Sequence, residues 1–307
     1  MKNKYMSRLA QFNEKSLRFS KKGTAGFFAN LVTCVMMISL CVIFLIPFFY
    51  LLSHSVMSAQ DLADGSVEWI PRSYIFENFT FAMRLLNYFP RLFYSLGVTA
   101  AAVFTQVLSC AFVAYGLARI RFRGNGLIFA LIIFTMIIPT QALIVTQYLL
   151  YSRLGLLNTM LPMILPCLFA SGLNGGLFCF LFRQFFKGIP VELESAAYID
   201  GLGVVKTFFK IMLPNSGAPI LVTSILSCIW QWNNYFEPSI YITEPSRYTL
   251  TMMLSNLSKT ASQMNMGGFT SGVNLAATAL CALPVILLFF ILQKRFIKGT
   301  ESSGLAN

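Results

Sequence analysis

The sequence predicts an all-α fold, a polytopic membrane protein with six transmembrane helices joined by loops. Three observations lead to this prediction. Of the 307 residues, 56% are hydrophobic and only 11% are charged, a composition too apolar for a soluble domain. The chain also contains six uncharged runs, each long enough for a bilayer-spanning helix of about 20 residues. Finally, the basic residues are concentrated in alternate loops, as the positive-inside rule describes for membrane proteins.

The first uncharged run follows a basic N-terminal tail at residues 1–26. It is too long for the core of a signal peptide and has no small-residue cleavage site, so it is predicted to be a membrane helix. The transmembrane domain is predicted at residues 27–293, and the C-terminal tail at residues 294–307. The predicted spans are residues 27–52, 92–118, 126–150, 160–182, 214–236 and 273–293.

The distribution of basic residues predicts the side of the membrane on which each loop lies. The two tails and the second and fourth loops together carry 17 Lys and Arg residues, whereas the other loops carry 6. The positive-inside rule therefore places both termini in the cytoplasm. The acidic residues divide almost evenly, so the whole net charge of +12 belongs to the cytoplasmic side. Orientation in the membrane accounts for this charge, and nucleic-acid binding is not needed to explain it.

Residues 189–214 form the only long segment between apolar runs that is both charged and patterned as helix. Pro190 suits the first turn of a helix, and the carboxylates that follow lie at the positive end of its dipole. Gly201 is predicted to end this helix, because glycine tolerates the left-handed conformation of a C-cap. Apolar residues then recur at spacings of three and four up to Pro214, which predicts a second short helix. Two short helices joined at a glycine are suited to docking against a cytoplasmic protein.

This segment resembles the cytoplasmic coupling-helix loop of ABC-importer permeases. The motif of that family reads Glu-Ala-Ala, three residues, Gly, nine residues, Ile, one residue and Leu-Pro. The sequence matches it at Ala196-Ala197, at Gly201 and from Ile211 to Pro214. The resemblance covers most of residues 27–299, and it implies that the loop contacts a separate ATPase.

One position of the motif differs. Ser195 takes the place of the motif's Glu, which in the family approaches basic residues of the ATPase. Glu194 is the adjacent carboxylate, but one helix position rotates it by about 100°. A bulky or charged residue at Gly201 is expected to uncouple ATP hydrolysis from transport. The resemblance implies ATPase-coupling roles for Glu192, Glu194, Ser195, Ala196, Ala197, Asp200, Gly201 and Pro214.

Two shorter matches, Ile199-Asp200-Gly201 and Trp232-Asn233, resemble the carbohydrate branch of the family, the maltose-permease type. The resemblance implies a permease subunit of a bacterial importer in the cytoplasmic membrane, with oligosaccharides as the expected substrates. It implies as partners a homologous second permease subunit, an ABC ATPase dimer, an extracytoplasmic solute-binding protein and membrane lipid. ATP and Mg²⁺ are expected on the ATPase, with no cofactor, metal or catalytic residue on this chain.

Neutral polar side chains within the predicted spans are candidates for the translocation path. Amides can hydrogen-bond to sugar hydroxyls, and aromatic rings can pack on pyranose faces. The same amides can instead hold helices together, and both interpretations stay open at this point. The candidates are Gln141, Gln231, Trp232, Asn233 and Asn274.

The sequence contains no phosphate-binding loop with its Lys, so this chain is not expected to bind ATP. No carboxylate or histidine lies deep in a predicted span, which weakens coupling to an ion gradient. Two alternatives remain. One is an ABC permease for a non-sugar solute, and the other is a membrane enzyme or assembly factor, which no constellation of acid, histidine and nucleophile supports.

Overall fold

The computed structural model describes residues 23–257, 259 and 271–304, and these residues form helices and turns without a strand. The predicted all-α fold is therefore confirmed. The helices are α1 (Gly23–Ser55), α2 (Ala59–Ala63), α3 (Glu77–Leu86), α4 (Tyr88–Arg119), α5 (Asn125–Thr135), α6 (Ile144–Arg153), α7 (Leu161–Leu168), α8 (Gly175–Gly188), α9 (Glu192–Ile199), α10 (Val204–Thr207), α11 (Gly217–Asn233), α12 (Phe236–Tyr241), α13 (Leu250–Ser255) and α14 (Ser271–Gly304). A π-helical turn, Phe208–Met212, continues α10, and 3₁₀ turns precede α6 and α13.

The chain divides into two compact units, residues 1–75 and 76–307. In the first unit, α1 extends over 33 residues and contains the predicted first span. Its apolar side chains are exposed from Phe27 to Tyr50, as expected of a segment whose surroundings are lipid or other helices. Residues 1–22 of the predicted N-terminal tail lie outside the described residues.

The segment that follows α1 is folded by hydrogen bonds to two aspartates. The buried Asp61 accepts a hydrogen bond from the Arg72 backbone N–H at 3.2 Å, and Asp64 forms an ion pair of 2.6 Å with the Arg72 guanidinium. The pKa of Asp64 lies below its usual value, chiefly because Ser66 donates hydrogen bonds to the carboxylate. A hydrogen bond from Arg72 and the positive charge of its guanidinium lower the pKa further. This part of the loop between the first two predicted spans is therefore a structured segment.

Three helices of the described residues are long and apolar enough to cross a membrane on their own: α1, α4 and α14. Two bent helix pairs pass the same test only when each pair is counted as one span. The axes of α5 and the helical residues 140–153 meet at 96°, and those of residues 204–212 and α11 meet at 85°. Pro139 and Pro214 lie at these two bends, where a proline removes a backbone hydrogen bond and favours a break.

The fourth predicted span, residues 160–182, is not one continuous helix. It consists of α7 and α8, which are separated by the non-helical residues 169–174. Pro166 interrupts the backbone hydrogen bonds of α7, and Ala170 and Asn174 have φ angles of 58° and 55°, which end a right-handed helix. The fourth predicted span is thus interrupted near its middle, and the third is interrupted at residues 136–139.

The helix α4 is central to the second unit, where it contacts α7, α8 and α11. Its buried side chains join those of α8 in an aromatic cluster that contains Tyr115, Phe178, Phe182 and Phe186. Phe208 from the π-helical turn belongs to the same cluster. The apolar core therefore continues from the spans into residues 189–214. A second cluster joins α3, α13 and α14 around Trp232.

Candidate coupling site

The first helix of the predicted coupling loop, α9, ends as the sequence predicts. Gly201 has φ = +77°, in the left-handed region that favours glycine. The backbone N–H of Gly201 donates to the carbonyl of Tyr198 at 3.0 Å, and that of Leu202 donates to the carbonyl of Ala197 at 2.9 Å. This pair of bonds is the Schellman arrangement, which satisfies carbonyl groups at a helix end. Gly201 thus fixes the angle at which the chain enters the second helix.

The α9 helix has a buried side and an exposed side. Glu194 and Ala197 are buried, at 5% and 3% exposure. The other predicted coupling residues are exposed: Glu192, Ser195, Ala196, Asp200, Gly201 and Pro214. The Ser195 hydroxyl donates to the carbonyl of Val191 at 3.2 Å, within its own helix. The coupling role of Glu194 stays a prediction, and the structure turns its side chain toward the body of the protein.

Glu194 is paired with Arg119, the last residue of α4. The Arg119 Nε atom lies 3.3 Å from the Glu194 Oε2 atom, and the two side chains are 11% and 7% exposed. The Arg119 guanidinium also donates a hydrogen bond to the carbonyl of Ile189. A buried charge requires such a partner, because removing it from water is costly. The pair therefore holds the start of the coupling loop against the end of α4.

The second helix of the loop is also anchored on one side. Its residues Phe208 and Met212 are fully buried. The Phe208 ring lies 5.2 Å from the Phe112 ring and 5.4 Å from the Tyr115 ring, measured between centroids. Leu213 donates its N–H to the carbonyl of Phe208 at 2.8 Å, which closes the π-helical turn. The apolar spacing in the sequence thus predicted the helix, but of its apolar residues Phe208 and Met212 are buried while Val204, Val205 and Phe209 are exposed.

The opposite face of both helices carries large exposed apolar side chains. Ile199 is 86% exposed. Charged residues lie among them, including the exposed Lys206 and Lys210. Exposed apolar groups bordered by charges are typical of a protein-interaction surface. We call the exposed residues between 191 and 210 the coupling surface. Its large apolar members are Val191, Leu193, Tyr198, Ile199, Val204, Val205 and Phe209.

The five candidates for the translocation path are not gathered in one place. Trp232 is buried and its indole N–H donates to the carbonyl of Cys281 at 3.1 Å, so it packs between α11 and α14. Gln231 is partly buried, and its amide donates to the Cys167 sulfur at 3.3 Å. Asn233 is exposed, and its amide donates to the carbonyl of Ile229 at 2.9 Å.

The other two path candidates, Gln141 and Asn274, are exposed. Gln141 lies in the 3₁₀ turn Thr140–Leu143 at the bend of the third predicted span. Asn274 lies in the first turn of α14. Exposed polar groups at such positions remain available to a solute or to another chain.

Sequence reasoning missed how α4 holds the break in the fourth span. Gln106 is fully buried, and its amide donates to the carbonyl of Leu173 at 2.6 Å. The hydroxyl of Ser109 donates to the carbonyl of Cys167 at 2.6 Å. Non-helical backbone at membrane depth needs partners of this kind, because lipid offers none. The available signal was the spacing of Gln106 and Ser109, which places the two polar side chains on one face of the helix.

A metal site is not found among the described residues, where no group of His, Cys, Asp and Glu has the required arrangement. The cysteines described are all unpaired.

Comparisons with known proteins agree with this architecture. The family model for the binding-protein-dependent transport system inner membrane component matches residues 108–302. The chain is 35% identical to the probable ABC transporter permease protein YurM of Bacillus subtilis (strain 168), over 85% of each chain. It is 30% identical to the arabinooligosaccharides transport system permease protein AraQ of the same organism, over 88% of this chain and 92% of that one.

Two further similarities extend the comparison. The lactose transport system permease protein LacG of Rhizobium radiobacter is 26% identical, over 83% of this chain and 89% of that one. The crystal structure of a bacterial ABC transporter for import of the polysaccharide alginate matches with a TM-score of 0.75 and 21% identity, over 90% of this chain and 99% of that chain. That structural match establishes the fold. The chain therefore belongs to the family of binding-protein-dependent transport system inner membrane components, the permease subunits of ABC importers, which are multi-pass membrane proteins and transport components rather than enzymes.

Proposed function

We propose that this chain is one of two membrane-spanning subunits of an importer that moves a carbohydrate, an oligosaccharide in particular, into the cell. The observation that carries the proposal is the coupling surface, an exposed apolar and charged face on two short helices that are fixed to the spans. The relatives AraQ and LacG are named for arabinooligosaccharides and lactose, which supports a sugar over other solutes.

The proposed partners follow from the family and from the coupling surface. A homologous permease completes the membrane part, two ATPase subunits dock on the cytoplasmic side, and a solute-binding protein delivers the sugar outside. Both termini lie in the cytoplasm in this proposal, as the distribution of Lys and Arg favours. ATP and Mg²⁺ are bound by the ATPase subunits.

The proposed mechanism is alternating access, in which closure of the ATPases displaces α9 and α10. Two neighbouring helices follow directly, because α9 is joined to α8 through Pro190 and the π-helical turn is joined to α11 through Pro214. The bend at Pro139 and the break at residues 169–174 are the points where segments of the spans can change their angle.

The site residues have distinct roles in this proposal. Glu192, Ser195, Ala196 and Asp200 contact the ATPase, and Gly201 and Pro214 fix the direction of the two helices. Ala197 and Glu194 attach α9 to the body of the protein. Gln141, Asn233 and Asn274 are the proposed polar residues of the path, since their side chains are exposed. Gln231 and Trp232 do not line the path in this proposal but hold α11 in position beside it, through their hydrogen bonds to Cys167 and Cys281.

The test is uptake into proteoliposomes that contain this chain with its partner permease and ATPase, supplied with the binding protein. We expect uptake that requires internal ATP and selects a class of oligosaccharide from a panel that also contains amino acids and peptides. Gly201→Asp is expected to lower uptake while ATP hydrolysis continues, because it adds a charge to the coupling surface. ATP-driven uptake of an amino acid or peptide instead would favour the non-sugar alternative, and ATP-independent uptake would overturn the proposal.

A further inference from the structure

The coupling helices touch a third membrane helix besides the two that continue them. In the chain, α9 follows α8 and the π-helical turn leads to α11. The side chains, however, meet the cytoplasmic end of α4. Arg119 contacts Glu194 at 3.3 Å and also donates to the carbonyl of Ile189. One guanidinium thus joins the first turn of α9 and the first residue of the coupling loop.

The second coupling helix meets the same face of α4. Phe208 lies between Phe112 and Tyr115, with ring centroids 5.2 and 5.4 Å away. On α4, Phe112, Tyr115 and Arg119 are separated by three and four residues, which places them on one side of the helix. The end of α4 therefore presents one continuous face that holds both coupling helices.

The contact between α4 and α9 has unused hydrogen-bonding capacity. Among the described residues at this contact, the Nε atom of Arg119 and the Oε1 atom of Glu194 are buried without a hydrogen-bond partner. Buried polar groups in this condition lose free energy relative to a bonded arrangement.

The other half of α4 holds the break in the fourth span. Gln106 and Ser109 bond to the carbonyls of Leu173 and Cys167. Between Gln106 and Arg119 the helix has no proline, so over roughly 20 Å it acts as a rigid rod. A displacement received at Arg119 is thus delivered to residues 169–174.

We infer that Arg119 and Glu194 are positioning residues, which transmit the displacement of the coupling helices to α4 and through it to the break between α7 and α8. This inference rests on the proposed function, and it adds a third helix to the two that the chain connects directly. The pair does not contact the solute or ATP in this account. It determines how much of the ATPase movement reaches the membrane domain.

The test compares Glu194→Gln with Glu244→Gln in the reconstituted importer. Glu244 is a matched control, because it pairs with Arg247 at 3.1 Å but both side chains are about half exposed. The measurement is the amount of solute transported per ATP hydrolysed, together with the amount of ATPase retained on the membrane subunits. For Glu194→Gln we expect the amount of solute transported per ATP to fall by about fivefold while the same amount of ATPase is retained. For Glu244→Gln we expect the same amount of solute per ATP as for the unmodified protein.

A purely structural role gives a different result. It would lower the yield or thermal stability of Glu194→Gln but leave the amount of solute transported per ATP unchanged in the complexes that assemble. This outcome would overturn the inference. If the single variant does not accumulate, Arg119→Gln/Glu194→Gln removes both charges and leaves neither buried alone. We then expect the same low ratio, and a normal ratio would count against the inference. Failure of ATP-driven uptake with the unmodified chain would instead refute the proposed function itself.

Discussion

At the scale of single residues, Glu194 and Ser195 show how neighbouring positions acquire opposite environments. A step of one residue along a helix turns the side chain by about 100°. Glu194 is thereby buried against Arg119, while Ser195 is exposed on the coupling surface. The carboxylate next to the altered motif position is therefore not exposed where the motif's Glu would be. Ala196 and Ala197 divide in the same way, one exposed and one buried.

Restoring the motif carboxylate is expected to strengthen ATPase docking. Ser195→Glu places a charge on the exposed side of α9 without displacing a buried group. An exposed ion pair contributes about 0.2–1 kcal/mol, so we expect the dissociation constant for the ATPase to fall by up to about fivefold. The affinity can be measured by titrating the ATPase onto the membrane subunits in nanodiscs.

Ser255→Glu is the control for that change. Ser255 is also exposed and its hydroxyl also bonds within its own helix, to the carbonyl of Met252 at 2.7 Å. It should leave the dissociation constant unchanged. Equal effects of the two substitutions, or weaker binding by Ser195→Glu, would show that Ser195 does not face the ATPase.

At the scale of helices, α4 satisfies the backbone where the fourth span is interrupted. The amide of Gln106 donates to Leu173, and its carbonyl oxygen accepts from the hydroxyl of Ser227 at 3.1 Å. One side chain therefore joins α4, the break and α11. Three elements share a single buried amide, which explains why this region can leave the helical conformation within the membrane domain.

Gln106→Leu is expected to destabilise the membrane domain. The substitution leaves the Leu173 carbonyl and the Ser227 hydroxyl without their partner, at a cost of about 1–3 kcal/mol. Thr105→Val is the matched control, because the Thr105 hydroxyl bonds to the carbonyl of Ala101 at 2.8 Å in the same helix. Thermal unfolding in nanodiscs should show a larger fall in melting temperature for Gln106→Leu than for Thr105→Val. Equal falls would mean that the buried amide is not what holds the break.

At the scale of the whole molecule, the features that could be predicted from the sequence are those that depend on residues close together in the chain. The uncharged runs predicted α1 and α4 within a few residues, and Gly201 predicted the end of α9 through its backbone freedom. The last predicted span continues as helix beyond its expected end, since α14 runs to Gly304. The positions of α1 and α4 and the end of α9 follow from hydropathy and helix-capping rules alone.

Features that depend on distant residues were not predictable in this way. The buried side of α9 is decided by Arg119, which lies in another helix. Trp232 matched the pattern of a sugar-contacting aromatic residue, but its indole N–H is bound to the carbonyl of Cys281 in α14. The interruption at residues 169–174 likewise depends on hydrogen bonds from α4. A sequence pattern shows which side chains can bond, whereas the packing decides which of them do.

The most direct test of the central claim, that the coupling surface docks an ATPase in the cytoplasm, is site-specific photo-crosslinking in the assembled importer. A photo-reactive amino acid replaces Ile199, which is 86% exposed in the coupling loop, or Ile70, which is 76% exposed in the loop predicted to lie outside the cell. The account predicts a crosslink to the ATPase from position 199 and none from position 70. A crosslink from position 70 alone, or from neither position in a complex that retains the ATPase, would contradict it.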